Sequence, residues 1–515
     1  MRPMPVRGPR GARTVRHRGG HTGAMPAFAA GLVVFATSAA VLVLEILAAR
    51  LLAPYVGVTL QTYTGIIGTV LAGIAVGSWY GGRLADRVDP RRLLGPMVLI
   101  GGVLALAAVP AVTFFGSALA GGGGPLVIII LSLAGFFAPA AVLSAVTPTV
   151  VKLQLASLDE TGEVVGRLSA LGTAGAIFGT FATGFLLVAA WPSRPIVVGL
   201  GGLLVLGGLG LWWWLAPQRE QFPAPLVMLA VVAGGLALLL PSPCDFESAY
   251  FCARVDAAED RDSGRVLVLD RLRHSYVDLD DPRHLGFGYT QVFADVIDAS
   301  TAPREPVAAL HIGGGGFSMP RYLAAERPGS DSLVLELDPM LVAVARNELG
   351  LQTGPDLRVE TGDARLGVAA QPAARWDVVI GDAFGGLAVP WHLTTAEFVH
   401  DVRATLRPGG VYMINVIDFP PSRFARAEAA TLAAVFDHVA LVAPLRRILG
   451  AEGGNFVLVG SDAPIDAEAI RREIDARGGD EEVVTGSRYE EFVGSARVLT
   501  DDHAPVDQLL TPHPQ

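Results

Sequence analysis

Residues 308–318 read A-A-L-H-I-G-G-G-G-F-S. A short apolar run, Ala308 to Ile312, ends in four glycines, Gly313 to Gly316, an order of residues that specifies a strand followed by a tight turn. Glycines there leave the backbone open to a ligand and to the N-terminus of the next helix. The pattern returns downstream. Ser332 to Leu337, Leu357 to Thr361, Trp376 to Gly381, Val411 to Val416, His438 to Val442 and Phe456 to Gly460 read as further strands. Helices lie between them, including Met340 to Glu348 and Thr395 to Thr405. This alternation predicts a Rossmann-like α/β domain with a parallel sheet covered by helices on both faces.

In such sheets ligands bind at the carboxyl ends of the strands, and four successive strand ends here carry candidate chemistry. Gly313, Gly314 and Gly315 follow the first strand. Glu336, 23 residues beyond Gly313, sits where an acid can accept both hydroxyls of a ribose. Asp363, in G-D-A-R, and Asp382, in I-G-D-A-F-G-G, end the next two strands. Asp363 is placed to accept from the exocyclic amine of an adenine. For Asp338, before Pro339, a helix N-cap is the competing role. There is no second phosphate-type loop, which argues against NAD. A glycine loop with acids on three strand ends suits an adenosyl-sulfonium ligand, which has no phosphate and needs carboxylates for its ribose, base and cationic tail.

Upstream the chain changes in kind. Of its 515 residues 51% are hydrophobic and only 17% charged, against roughly 25% charged in ordinary soluble proteins. The net charge of −10 divides unevenly: +6 on residues 1–24, +2 on residues 25–240 and −18 on the remainder. That distribution predicts a basic cytoplasmic arm (1–24), a membrane domain (25–240) and an acidic soluble region, for which nucleic acid is not an expected partner. A spanning helix needs about 20 apolar residues. Seven stretches qualify: 27–49, 61–82, 93–117, 125–148, 168–190, 195–215 and 222–240. The soluble region divides into a neck and small β piece (241–290), the Rossmann-like domain (291–462) and a C-terminal extension (463–515). No metal-ligating set is assigned. The two cysteines exclude a disulfide-rich scaffold.

If the N-terminus is cytoplasmic, the inner segments hold 13 basic residues and the outer ones only Arg50 and Arg194. Trp212 to Trp214 sit where an interfacial anchor belongs. Glu45 is an acid well inside a span, for which an internal ion pair or hydrogen bond competes with a functional role. Seven spans place the soluble region outside, where Cys244 and Cys252 can pair; two free thiols packed as apolar residues are the alternative. An adenosyl donor is expected in the cytoplasm. The soluble region would face that side if one stretch, the Gly- and Pro-interrupted fourth, were re-entrant.

At the strand-end residues the chain resembles the polyamine aminopropyltransferases, the spermidine synthase family, and in particular its membrane-fused subgroup. Gly313, Gly314 and Gly315 match that family's glycine loop and Arg321 a later arginine. Glu336 matches the ribose-binding acid, Asp363 the adenine-side acid, and Asp382 the acid that orients and deprotonates the attacking amine. The stretch L-T-D-D-H-A-P-V-D, Leu499 to Asp507, is similar to the fused subgroup, and G-G-R-L-A-D-R, Gly81 to Arg87, resembles a loop of the major facilitator superfamily. The resemblance implies transfer of an aminopropyl group from decarboxylated S-adenosylmethionine, a co-substrate and not a permanently bound cofactor, to a small-molecule amine of the polyamine class. Methylthioadenosine would be released.

Five positions depart from the family. Gly316 replaces the aspartate that holds the donor's aminopropyl ammonium, and Gly385 replaces the second acid of the D-S-S-D motif. His274 stands for a glutamine in L-D-R-L-R-H, and Tyr289, Thr290 and Gln291 replace Tyr-His-Glu. Asp270, Asp501 or Asp502 would have to supply the missing charge for a dicationic amine. Tyr276 and Tyr289 are further candidates to meet a cation, and His392 is a rim histidine. Two other functions fit the same residues. One is a methyltransferase using intact S-adenosylmethionine on a membrane-associated acceptor; the other is a non-catalytic nucleoside- or polyamine-binding module. The lipid bilayer is an expected partner, and the sequence leaves room for a homo-oligomer.

Overall fold

The structure, a computed structural model, describes residues 25–119, 124–155, 161–215, 221–386 and 388–511. The basic arm, Arg219 and most of the 121–124 glycine loop lie outside them.

Among the described residues six helices are long and apolar enough to cross a membrane: Ala27–Val56, Leu60–Arg87, Pro90–Ala118, Pro125–Gln154, Thr161–Ala190 and Ser193–Leu215. The seventh stretch forms a shorter apolar helix, Ala224–Leu239, of 16 residues. At 1.5 Å per residue it extends about 24 Å. The fourth stretch, the candidate for re-entry, is instead a 30-residue helix of crossing length. Its Gly135 falls in a π-turn at Leu133–Phe137 and its Pro139 in the α-helical turn that follows, as such irregularities can when neighbouring helices cover them. Small residues set the helix packing: a Cβ on Gly77 would lie 1.9 Å from the Ala141 carbonyl oxygen, and one on Gly179 2.5 Å from that of Ala39. Only glycine permits such backbone approach.

The facilitator-like stretch Gly81 to Arg87 ends the second helix, where Asp86 pairs with Lys152 at 2.8 Å. Trp212 to Trp214 lie at the end of the sixth, with Trp213 83% exposed.

Residues 240–257 join the two halves. Arg194 donates to the carbonyls of Leu240 and Pro241 at 2.8 and 2.9 Å, so the seventh helix returns to the end of the bundle where the sixth begins. Arg50 pairs with Glu247 at 3.0 Å and donates to Ser193 Oγ and the Ala249 carbonyl. The two basic residues that depart from the arginine asymmetry are the two that clamp the neck. A disulfide joins Cys244 and Cys252, with the Cα atoms 5.2 Å apart.

The C-terminal half contains two sheets. The first is antiparallel, ordered β1 (Phe246–Glu247), β2 (Cys252–Ala257), β3 (Gly264–Leu269), β4 (Leu272–Asp278). The second comprises β5 (Ala308–Ile312), β6 (Asp331–Glu336), β7 (Leu357–Thr361), β8 (Trp376–Gly381), β9 (Leu406–Asp418), β10 (His438–Pro444), β11 (Gly454–Ser461) and β12 (Glu481–Val484). Their order is β12-β10-β11-β9-β8-β5-β6-β7. Strands β7, β6, β5, β8 and β9 are parallel. The sheet is not parallel throughout, since β11 pairs antiparallel with β9 and β10, and β12 antiparallel with β10. The central strands are buried on both faces; all five residues of β5 are buried, as near-continuous apolar runs require.

Candidate functional site

The chain order reverses at β5, which lies between β6 and β8. A crevice opens there at the carboxyl ends. Gly313 makes it possible: its φ is +94°, and a Cβ would fall 2.4 Å from the Asp382 carbonyl oxygen. The Asp382 amide in turn donates to the Ile312 carbonyl at 2.9 Å. Glycine here brings the ends of β5 and β8 together.

Glu336 ends β6 and is 6% exposed. One carboxylate oxygen accepts from the Gly314 and Gly315 amides at 2.8 and 3.2 Å, the other from the Asp338 amide at 2.9 Å. Burial raises its pKa, opposed by those three bonds. Glu336 thus fixes the glycine turn. Asp338 caps the helix Pro339–Glu348 through the Met340 amide at 2.9 Å and accepts from Ser248 in the neck.

The glycine at 316 has a steric cause. A Cβ there would lie 2.6 Å from Ser275 Cβ and 3.2 Å from Val277 Cγ2, and the Gly316 amide donates to Ser275 Oγ at 2.9 Å. Strand β4 fills the space that a side chain at 316 would need.

A cavity of about 360 Å³ lies over the β5 and β8 ends. Leu272 to Ser275 of β4 form one wall, Gly286 to Tyr289 another, and Gly314, Gly315, Asp382, Phe384, Asn415 and Asn455 complete it. Asp382 is its focus. Tyr289 donates to one oxygen at 3.0 Å and Asn415 to the other at 3.0 Å; Asn455 steadies Asn415 by donating to its carbonyl at 2.9 Å. Among the described residues no cation pairs with Asp382. Burial pushes its pKa up to about 6, with the bonds from Asn415 and Tyr289 opposing the shift. Burial beside this carboxylate also raises the Tyr289 pKa. His274 packs between Phe251 and Phe384, with ring centroids 6.3 Å from each, and burial lowers its pKa to about 4. It is therefore neutral at pH 7.

Of the residues singled out in sequence, Gly314, Gly315, His274, Tyr289 and Asp382 meet in this cavity, with Gly313 and Glu336 directly behind it. Others lie elsewhere. Asp363 caps the helix Ala364–Ala369 through the Arg365 amide at 2.8 Å and sits 3.3 Å from His392 Nε2. Asp501 holds Arg365 with both oxygens, at 2.8 and 2.6 Å, and accepts from Thr395. Asp502 is exposed in the adjoining turn. Asp270 accepts from the Cys252 amide in the neck at 3.1 Å. Gln291 faces the Leu285 carbonyl and Arg477. Tyr276 donates to Asp260. Sequence reasoning passes over Asn415 and Asn455, whose signal is a polar residue within or beside an apolar strand run.

No family model matches the chain. The chain is similar to the polyamine aminopropyltransferase of Vibrio vulnificus, at 35% identity over 134 residues, 26% of this chain and 44% of that one. It is also similar to the polyamine aminopropyltransferase of Chromobacterium violaceum, at 30% over 142 residues, 27% of this chain and 53% of that one. It thus spans about half the length of the curated relatives it matches. Among solved structures, a probable spermidine synthase from Corynebacterium glutamicum aligns at 30% identity and a TM-score of 0.47, covering 52% of this chain and 98% of that one. Over about a quarter of its length the chain is thus similar in sequence to polyamine aminopropyltransferases, and the matching region is fused to a long apolar N-terminal helical region.

Proposed function

We propose that the soluble domain transfers the aminopropyl group of decarboxylated S-adenosylmethionine to a primary amine. The observation that carries this reading is Asp382: a carboxylate without a cationic partner, held by Tyr289 and Asn415, facing a cavity beside the Gly314–Gly315 turn. The Gly313–Gly315 turn and Glu336 take the adenosine portion of the donor, and Asp382 orients the amine. The amine lone pair attacks the methylene carbon beside the sulfonium. That lone pair is freed when Asp382 takes a proton from the bound primary ammonium; the C–S bond breaks with its electrons going to sulfur, methylthioadenosine and the secondary ammonium leave, and Asp382 returns its proton to water. A carboxyl with a pKa of about 6 is ionised at pH 7 and still basic enough for that transfer. Holding both reactants in one cavity supplies the rest of the acceleration.

A second reading is favoured by one observation. Ser275 and Val277 occupy the place of the acid that would hold the donor's aminopropyl ammonium, which suits methyl transfer from intact S-adenosylmethionine. Full-length protein incubated with each donor and a panel of amines separates the two. Methylthioadenosine supports aminopropyl transfer, S-adenosylhomocysteine supports methyl transfer, and neither product leaves a binding module.

The soluble domain lies on the outer side of a cell membrane in this account. The arginine asymmetry, the return of the seventh helix to the Arg194 end and the Cys244–Cys252 bond support that placement. A membrane-impermeant thiol reagent added to intact cells should label only after reduction. Labelling confined to lysed cells would put the domain in the cytoplasm.

A further inference from the structure

We propose that the acceptor is an aminoalkyl anion, with one amine to be alkylated and a negatively charged group a short chain away, and not a di- or polyamine. The inference rests on the aminopropyl-transfer reading and adds the charge of the acceptor's far end. Among the described residues lining the cavity, Asp382 is the one carboxylate. A second ammonium would need a second anion to leave water. The acids nearby are already committed. Glu481, whose Oε1 would lie 3.7 Å from a Cβ on Gly288, is paired with Arg477 at 2.7 Å. Glu336 holds the glycine amides, and Gln291, where the family has an acid, points away to Leu285 and Arg477.

The opposite charge is present and free. Arg273 lines the cavity from β4, exposed, with its guanidinium 5.8 Å from the Phe287 ring centroid. Among the described residues its guanidinium makes no hydrogen bond or ion pair. A guanidinium of this kind suits a carboxylate or phosphate and repels an ammonium. Asn415 and Asn455 complete the wall with neutral amides. The cavity therefore offers one anion and one cation, a pattern complementary to an amine and an acid on the same molecule.

Such a group could come from a free ω-amino acid or from an aminoethyl phosphate lipid headgroup. Gly386, on the cavity rim, faces the loop between the first two helices, where a Cβ on it would lie 3.9 Å from the Val58 carbonyl oxygen.

The test measures methylthioadenosine release by the full-length protein in phosphatidylcholine nanodiscs supplied with decarboxylated S-adenosylmethionine. The acceptors are putrescine, n-butylamine, 4-aminobutyrate, or phosphatidylethanolamine included in the disc. The expected result is a rate with 4-aminobutyrate or phosphatidylethanolamine at least about tenfold above that with putrescine, with n-butylamine between; the faster anionic arm identifies the source. Arg273→Glu should reverse the order, and Arg273→Gln should bring the rates together. Putrescine as fast as or faster than the anionic acceptors overturns the inference and leaves the aminopropyl reading standing. An order unchanged by both Arg273 variants overturns the role of Arg273. No methylthioadenosine with any acceptor overturns the inference and the reading beneath it.

Discussion

The inner strand ends of the large sheet and its outer corner carry the same residue types and treat them differently. At the inner ends, β5, β6 and β8, Glu336 is bonded only to backbone amides and Asp382 only to neutral side chains. At the outer corner, beyond β7, Asp363 meets His392 and Asp501 is held by Arg365. A carboxylate neutralised by an arginine is a fastener. One kept buried without a cation stores a charge demand that a cationic ligand can satisfy, and its raised pKa reports that demand. In the proposed reading the difference assigns the inner ends to the site, while the corner secures residues 499–503 to the sheet.

The sharpest way to break this comparison is Asp382→Asn. Turnover should fall on the order of 10² or more while donor affinity is nearly unchanged; equal losses of both would make Asp382 structural. Next is Glu336→Gln. Its charge-assisted bonds are worth about 1.5–3 kcal/mol each, so calorimetry should show donor binding weakened by at least about tenfold with the fold intact. Unchanged affinity would remove Glu336 from the site.

Tyr289→Phe should have a smaller effect. The Tyr289 hydroxyl stabilises ionised Asp382, so its loss favours the protonated acid and moves the acid limb of the rate profile above about pH 6. A limb displaced downward would contradict the sign. Asp501→Asn should be the mildest. A pair this exposed contributes about 0.2–1 kcal/mol, so the unfolding midpoint should fall slightly and methylthioadenosine formation should not change.

Much of this was legible in sequence, because each central strand is an apolar run that stops at glycine or an acid. Ala308–Ile312, Leu357–Thr361 and Trp376–Gly381 fall where the pattern puts them. β12 does not show itself: Glu481–Val484 is E-E-V-V, an edge strand too short and too polar to stand out. The site was legible to the same extent. Strand ends locate Glu336, Asp363 and Asp382 alike, but their partners are set by folding. His392 lies 29 positions from Asp363, Arg365 is 136 from Asp501, and Arg50 is 197 from Glu247. No local pattern reports such pairings. The glycine at 316 reads as a lost charge in sequence; only the position of Ser275 shows that β4 has taken its space.

The central claim is that Asp382 takes the proton of the attacking amine. The rate of methylthioadenosine formation at saturating donor and amine, followed from pH 5 to pH 8 in the native protein and in Asp382→Asn, tests it most directly. The account predicts an acid limb near pH 6 in the native protein, absent from the residual activity of the variant. The same limb in both proteins, or a variant as fast as the native protein, would contradict it.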